Sequence, residues 1–342
     1  MTTLAYEDDA ASHERTASPV FRESYYCNFA DPHSDLHGVA WQGVRPNAGA
    51  GEAVFVLFDG DTPLIHSLQM HEPVAADIGD ERTAIGNQRF ECVEPWSHWR
   101  VHYGDERATA TVDWRQLSRT CDWEWDKLME GNPDFAAKHY QAAGRVTVDA
   151  VVDGRHISFE GFGERDRAWG PRNYDPIDFG WWMTIQFADA VCAHAFVQLF
   201  EGEYRLAGFL HKDGETRDLV SFEATDVVYD GEGGPAAGGR QLLTDDLGRT
   251  LDLVSTDLVN QLSFGTVTDG VQLRAADPGA QARGRLYLTF QQMTRADGMV
   301  GRGMIDNNLC LGIAPTAFTA GNQPLYSRLY DYGLAGVGAP HS

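Results

Sequence analysis

Short apolar or alternating runs that end on Asp-Gly pairs constrain this chain more than any other feature. Such pairs stand at Asp59-Gly60, Asp153-Gly154, Asp213-Gly214, Asp269-Gly270 and Asp297-Gly298. Asp-Gly suits a two-residue hairpin turn, because the turn that matches strand twist needs a positive φ at both central positions. The runs themselves read as strands over 52–59, 98–103, 108–114, 145–152 and 156–162, and again over 180–187, 191–200, 204–210, 250–258 and 284–291. Helical patterning is weak; only 122–130 predicts two turns, with Asp122 as the cap. The pattern predicts an all-β chain of antiparallel hairpins and meanders.

A chain of 342 residues predicts two domains rather than one core. Residues 171–176 (Pro-Arg-Asn-Tyr-Asp-Pro) interrupt the strands near the middle, and proline cannot serve a central ladder. The reading is a polar N-terminal arm over 1–20, one domain over 21–172, and a second over 173–342. A glycine-rich surface loop falls at 231–239, and the tail after Pro315 is expected to wrap the surface without chemistry.

Composition excludes several functions. The net charge of −23 argues against a binder of nucleic acid or of an anionic membrane surface. No run approaches the roughly 18 apolar residues that would span a bilayer, so no membrane insertion is expected. Residues 1–22 lack an apolar core and do not read as a secretion signal. Cys27, Cys92, Cys121, Cys192 and Cys310 are scattered without a CxxC pair, which predicts reduced thiols and a cytoplasmic protein. Neither a dinucleotide fingerprint nor a histidine pair with metal-ligand spacing occurs, so no cofactor and no metal are expected. A homo-oligomer is left open.

Chemistry concentrates in residues 161–175, where an apolar strand runs into Gly-Phe-Gly-Glu-Arg-Asp-Arg-Ala-Trp-Gly and then Pro-Arg-Asn-Tyr-Asp. On an extended chain Glu164 and Asp166 point to one face, while Arg165, Arg167 and Trp169 point to the other. Such a strand is costly to bury unless every charge is paired. It reads either as an arginine–carboxylate clamp or as the polar floor of an apolar cavity. Gly161-x-Gly163 is not a nucleotide loop, since no helix follows it. Eight of the tryptophans fall between 96 and 182, enough to line a core or a cavity for an apolar ligand. His194 alternates onto the face of Phe196 and Gln198 and titrates near neutrality. His139 opens the strand that returns by hairpin to the charged segment, and Asp306, after Gly301-Arg302-Gly303, is a candidate second carboxylate.

Three groups of motifs carry a resemblance. They are Glu23-Ser24-Tyr25-Tyr26 with Asn28-Phe29 and Arg45-Pro46-Asn47; His139-Tyr140-Gln141 with Gly144-Arg145-Val146; and Gly163-x-Arg165-Asp166-x-x-Trp169-Gly170. Together they resemble a bacterial family of unassigned function related to carotenoid 1,2-hydratase (hydroxyneurosporene synthase) and the AttH-like group. That group includes fungal kievitone hydratase-like proteins and lipocalin-type Diels–Alderases. The resemblance spans roughly residues 20 to 310. It implies two lipocalin-like barrels, an apolar pocket and no organic cofactor. In the hydratase the matching turn reads His-Asp-His-Asn-Trp-Gly, and its histidine and tryptophan are implied to be functional. Here Arg165 and Arg167 stand at the histidine positions, and arginine cannot give up its proton at neutral pH.

The sequence therefore predicts a cofactor-independent enzyme acting on an apolar, terpenoid- or polyketide-like molecule by hydration or dehydration. Isomerisation, cyclisation and plain carriage of a hydrophobic ligand are the alternatives. Asp166 is expected to handle the proton, Trp169 to form an aromatic wall, and Arg167 to hold a carboxylate or polarise an oxygen, with His194 as a further catalytic candidate. Arg172, Tyr174, Trp181, His139 and Asp306 are the candidate substrate contacts.

Overall fold

The computed structural model describes residues 4–10, 12–19, 21–74, 82–128, 130, 137–171, 179–231, 234–266, 274–275, 284–310, 313–322 and 325–334. The chain forms two compact units. The first comprises Met1–Asp122, Ala137–Pro171 and Leu329–Ser342; the second comprises Trp123–Ala136 and Arg172–Arg328.

The first unit is built on β1 (Phe21–Ala30), β2 (Leu36–Arg45), β3 (Ala50–Asp59), β4 (Thr62–Pro73), β5 (Arg82–Ile85), β6 (Gln88–Glu94), β7 (His98–Gly104), β8 (Ala108–Gln116), β9 (Thr120–Trp123), β10 (Lys138–Val152) and β11 (Arg155–Pro171). Its sheet runs β4-β3-β2-β1-β11-β10-β8-β7-β6-β5, with β9 beside β10. Pairing of β1 with β11 joins the two ends of this meander, so the sheet curls into a near-complete ring.

The second unit holds a one-turn helix α1 (Trp125–Leu128), then β12 (Phe179–Gln186), β13 (Cys192–Phe200), β14 (Glu203–Lys212), β15 (Glu215–Tyr229), β16 (Ala236–Asp245), β17 (Thr250–Thr266), β18 (Arg274–Ala275), β19 (Gly284–Arg295), β20 (Val300–Cys310) and β21 (Phe318–Gly321). Here β12 to β17, β19 and β20 each pair with the next, and β20 returns to β12. Eight antiparallel strands thus close without an edge, which removes the usual hazard of an open sheet. The all-β reading with two lipocalin-like barrels is borne out.

Local sequence explains the turns. Asp153-Gly154 and Asp213-Gly214 have φ values of 48° and 82°, and of 55° and 75°, as the two-residue hairpin requires. Asp269-Gly270 lies outside the described residues. Two expectations are corrected. Asp122 does not cap a two-turn helix: it pairs with Tyr140 in the β9–β10 ladder and accepts a bond from Lys138 Nζ at 3.1 Å, leaving helix only at Trp125–Leu128. The tail after Pro315 is not all surface, because β21 joins β14 and β15 and buries Phe318 against Trp181 and Phe222.

Along β8 and the far half of β10 the burial alternates. Val146, Val148, Ala150 and Val152 turn inward, and Arg145, Thr147, Asp149 and Val151 outward. Alternation ends at Gly161. From there to Gly170 every residue of β11 is buried, as is every residue of β1. A Cβ at Gly161 or Gly163 would lie 2.0 Å from the Ala30 carbonyl oxygen or 2.1 Å from that of Asn28. The two glycines therefore let β1 press against β11, which accounts for the Gly-x-Gly pair without a nucleotide.

Burying β11 on both faces buries its charges, and a residue ahead of β1 and one within it neutralise two of them. A short 3-10 turn, Tyr6–Asp9, brings in Asp9 with no exposed surface. Its carboxylate accepts bonds from Arg165 Nη2 (2.8 Å), Tyr140 Oη (2.5 Å), Trp99 Nε1 (2.7 Å) and the Trp96 backbone N–H (2.5 Å). Burial opposes its ionisation, but Arg165 and these hydrogen bonds win and hold the Asp9 carboxyl below its ordinary value. Arg167 donates to the Asp9 carbonyl (2.6 Å), to Glu23 (2.9 Å) and to the Tyr25 hydroxyl (3.1 Å).

Asp9→Asn keeps the shape and strands Arg165 as a buried, unpaired cation. Loss of about 3–5 kcal/mol is expected in urea unfolding, the range for breaking a buried pair from one side. An unchanged midpoint would show that the arginines do not depend on Asp9.

Candidate active site

Alternation sorts the charged segment of β11 into two surfaces. Arg165, Arg167 and Trp169 share the interior face with Glu23, Tyr25 and Cys27 of β1. Glu164 and Asp166 project from the other face, and register shows what stands beside them. At one level Trp41, Tyr26, Asp166, Gln141 and Cys121 follow one another across β2, β1, β11, β10 and β9. One step along, Ser24, Ala168 and His139 form the neighbouring row. On the opposite side Glu164 pairs with Ala143, and its backbone N–H donates to Asn28 Oδ1 at 2.7 Å.

This polar face is closed to solvent. Glu164 and Gln141 are 1% and 0% exposed, Tyr26, Asn28 and Asp166 are buried, and His139 and Trp41 are half-buried. His139 Nε2 stands 3.5 Å from Asp166 Oδ2. Burial first, and then the charge of Asp166, push the Glu164 carboxyl well above the usual carboxylate range. Two carboxyls this close do not both ionise readily in a dry setting. Burial and Asp166 likewise push the Tyr26 phenol up. The face thus presents a carboxyl pushed toward its neutral form, a second carboxyl and an imidazole within one patch of sheet. Among the described residues no cluster of three or more His, Cys, Asp or Glu side chains is arranged to hold a metal.

The structure brings Asp166 and His139 together and puts Arg167 and Trp169 behind them. Arg167 bonds through its two terminal nitrogens to Asp9, Glu23 and Tyr25, and Trp169 stacks on His13 with ring centroids 3.4 Å apart. Arg172 and Tyr174 lie outside the described residues. The other three candidates belong to the second unit. His194 is buried there between the rings of Trp182 (4.9 Å) and Trp123 (5.5 Å), and Asp306 of β20 faces Trp182 across the ladder. Trp181 points the opposite way from its neighbour Trp182, into the interior core with Phe179, Phe222 and Phe318. Sequence reasoning gave no role to Glu164 or Gln141, although alternation already set Glu164 on the face of Asp166. For Asp9 there was no signal, since a lone aspartate in a polar stretch has no period.

Among the described residues no helix is long and apolar enough to cross a membrane. Solved structures share this fold at low identity. A protein assigned as AttH from Nitrosomonas europaea superposes with a TM-score of 0.58 at 16% identity, covering 90% of this chain and 96% of its own. CghA, solved with Sch210972, gives 0.59 at 14% identity over 86% of this chain and 90% of its own. Kievitone hydratase from Nectria haematococca gives 0.52 at 10% identity over 84% and 89%. These likenesses bear out the fold that the resemblance of the sequence motifs implied. No curated protein matches the sequence. The model of a domain of unknown function, DUF7064, matches residues 6–308, and the chain belongs to that family.

Proposed function

We propose that this protein is a cofactor-independent enzyme that hydrates or dehydrates an apolar, terpenoid- or polyketide-like molecule, with Glu164 as the proton donor. The observation that carries the reading is a fully buried carboxyl, pushed toward its neutral form, two residues along β11 from a second carboxyl that itself stands 3.5 Å from a histidine. A fold shared with a hydratase supports it, and a cytoplasmic location is part of the same reading.

In the hydration direction the Glu164 O–H bond breaks as a C–H bond forms at the alkene, leaving a carbocation and a Glu164 carboxylate. The buried ring of Tyr26 on the same face offers a π-surface to that cation. Water then adds to the cation. Its surplus proton passes to Asp166, helped by His139, and returns to Glu164 to close the cycle, so that alkene and water give alcohol. Dehydration runs these steps backward. If the cation loses a proton or is attacked internally before water arrives, the products are an isomer or a ring, without change of mass. Arg165, Arg167 and Trp169 act in this reading as positioning residues that fix β11 from behind. His194 and Asp306 of the second unit are the reserve candidates for the proton.

Incubation with a terpenoid and polyketide panel, read by mass for gain or loss of water, is the direct test. Glu164→Gln keeps the shape and removes the acid, so turnover should fall about 100-fold or more, the range for general acid–base groups, with the circular dichroism unchanged. Full turnover by this variant would move the proton to His139, His194 or Asp306.

Activity requires protonated Glu164, so the rate should fall as pH rises through its raised pKa. Asp166→Asn removes a charge that raises it, and the alkaline limb of the pH profile should shift to lower pH. A limb that stays in place would separate the two carboxyls.

Stability gives a check without substrate. The folded-state pKa of Glu164 lies above its unfolded value, so the protein loses stability as pH climbs out of the ordinary carboxylate range. Glu164→Gln is spared that loss. Its Tm relative to the wild type should rise as the pH climbs above the ordinary carboxylate range; a flat difference would contradict a raised pKa.

A further inference from the structure

Gln141 carries an unmet hydrogen-bonding demand on the same face. Its side chain is 0% exposed, and neither Oε1 nor Nε2 has a hydrogen-bond partner. A primary amide has two N–H donors and one carbonyl acceptor, and buried amides are paired in nearly all proteins. Its backbone cannot swing the side chain away, because β10 is laddered to β9 and β11 at this position. Beside it stand Asp166 on β11 and Cys121 on β9, with His139 and Ala143 two residues away along β10. A buried amide with neither end bonded to the protein, in the middle of a candidate site, is able to hold a polar group of a ligand.

We propose that Gln141 orients the substrate by gripping an alcohol oxygen, with Oε1 accepting the hydroxyl proton and Nε2 donating to an oxygen lone pair. This rests on reading the face as a substrate site, and it names the substrate class: an apolar alcohol, or the alkene that becomes one. The chemistry of the neighbouring groups narrows the choice. A carboxylate would meet the negative charge of Asp166 across one strand spacing, about 5 Å. A ketone satisfies the Nε2 donor and leaves Oε1 bare. A hydroxyl satisfies both ends of the amide at once, and it places the C–O bond that forms or breaks beside Asp166.

The experiment uses the full-length protein and two probes of nearly equal shape, geraniol and geranyl methyl ether, with binding read by tryptophan fluorescence. Wild type should bind the alcohol about tenfold more tightly than the ether, since only the alcohol can donate to Oε1. Gln141→Met, similar in length and without the amide, should bring that ratio close to one and keep the affinity for the ether. The ligand-free variant should melt at the wild-type temperature or about 2 °C above it, because methionine leaves no amide unpaired. A structural glutamine would behave oppositely: a clear drop in Tm overturns the proposal. So does a wild type that binds both probes alike or binds neither, which would leave water as the partner of Gln141, and so does a Gln141→Met variant that keeps the preference. Glu164→Gln, measured alongside, should retain the preference whether or not Glu164 is the acid. Failure of the acid–base reading is thereby kept separate from failure of this one.

Discussion

Two arginines on a strand without a solvent face stay charged only if carboxylates come to them. That requirement organises the first unit. Asp9 is carried in by residues ahead of the sheet, and Glu23 stands on the adjacent strand; between them they neutralise Arg165 and Arg167. Tyr140, Trp96 and Trp99 spend their donors on the same aspartate. An ion-pair network of this kind is a poor source of net stability compared with apolar packing. Its use is geometric: it fixes the height and rotation of β11, and with them the aim of whatever projects from the other side.

What projects is Glu164 and Asp166. The strand thus separates its charges by parity, odd positions carrying the arginine ion pairs and even positions the two carboxyls of the proposed site. Because a shift of one residue would exchange the two sets, the glycines that seat β11 against β1 and the arginines that anchor it guard the same register. Arg165 and Arg167 put permanent charge on the interior side, and in the function proposed above proton exchange falls to the carboxyls on the opposite one.

Much of this was legible beforehand. Period-two runs and Asp-Gly turns give the strands, because half-buried sheets and tight hairpins leave a direct trace in residue order. The separation of Glu164 and Asp166 from Arg165 and Arg167 follows from the same period. Other features leave no such trace. Trp181 and Trp182 are adjacent and both apolar, so alternation cannot say which enters the core. Residues 120–123 form a strand through a ladder with Tyr140 and Gln141, a long-range partnership that overrides a local helical tendency. Phe318 sits on a strand of four residues, too short to show a period. Asp9 is the extreme case, since its importance lies wholly in partners far along the chain.

That separation has a consequence for how the protein is made. Asp9 and Arg165 are 156 residues apart in the chain. At a synthesis rate of about 5–20 residues per second, Asp9 leaves the ribosome roughly 8–30 s before its partner exists. During that interval the early strands of the first unit have no β11 to close against, and β1 offers an unpaired edge. Contacts of such long sequence separation also form late, after their loop-closure entropy has been met. The first unit is therefore the one that waits, and a nascent chain of this family should need shelter on the ribosome for longer than a protein of its size built from local hairpins.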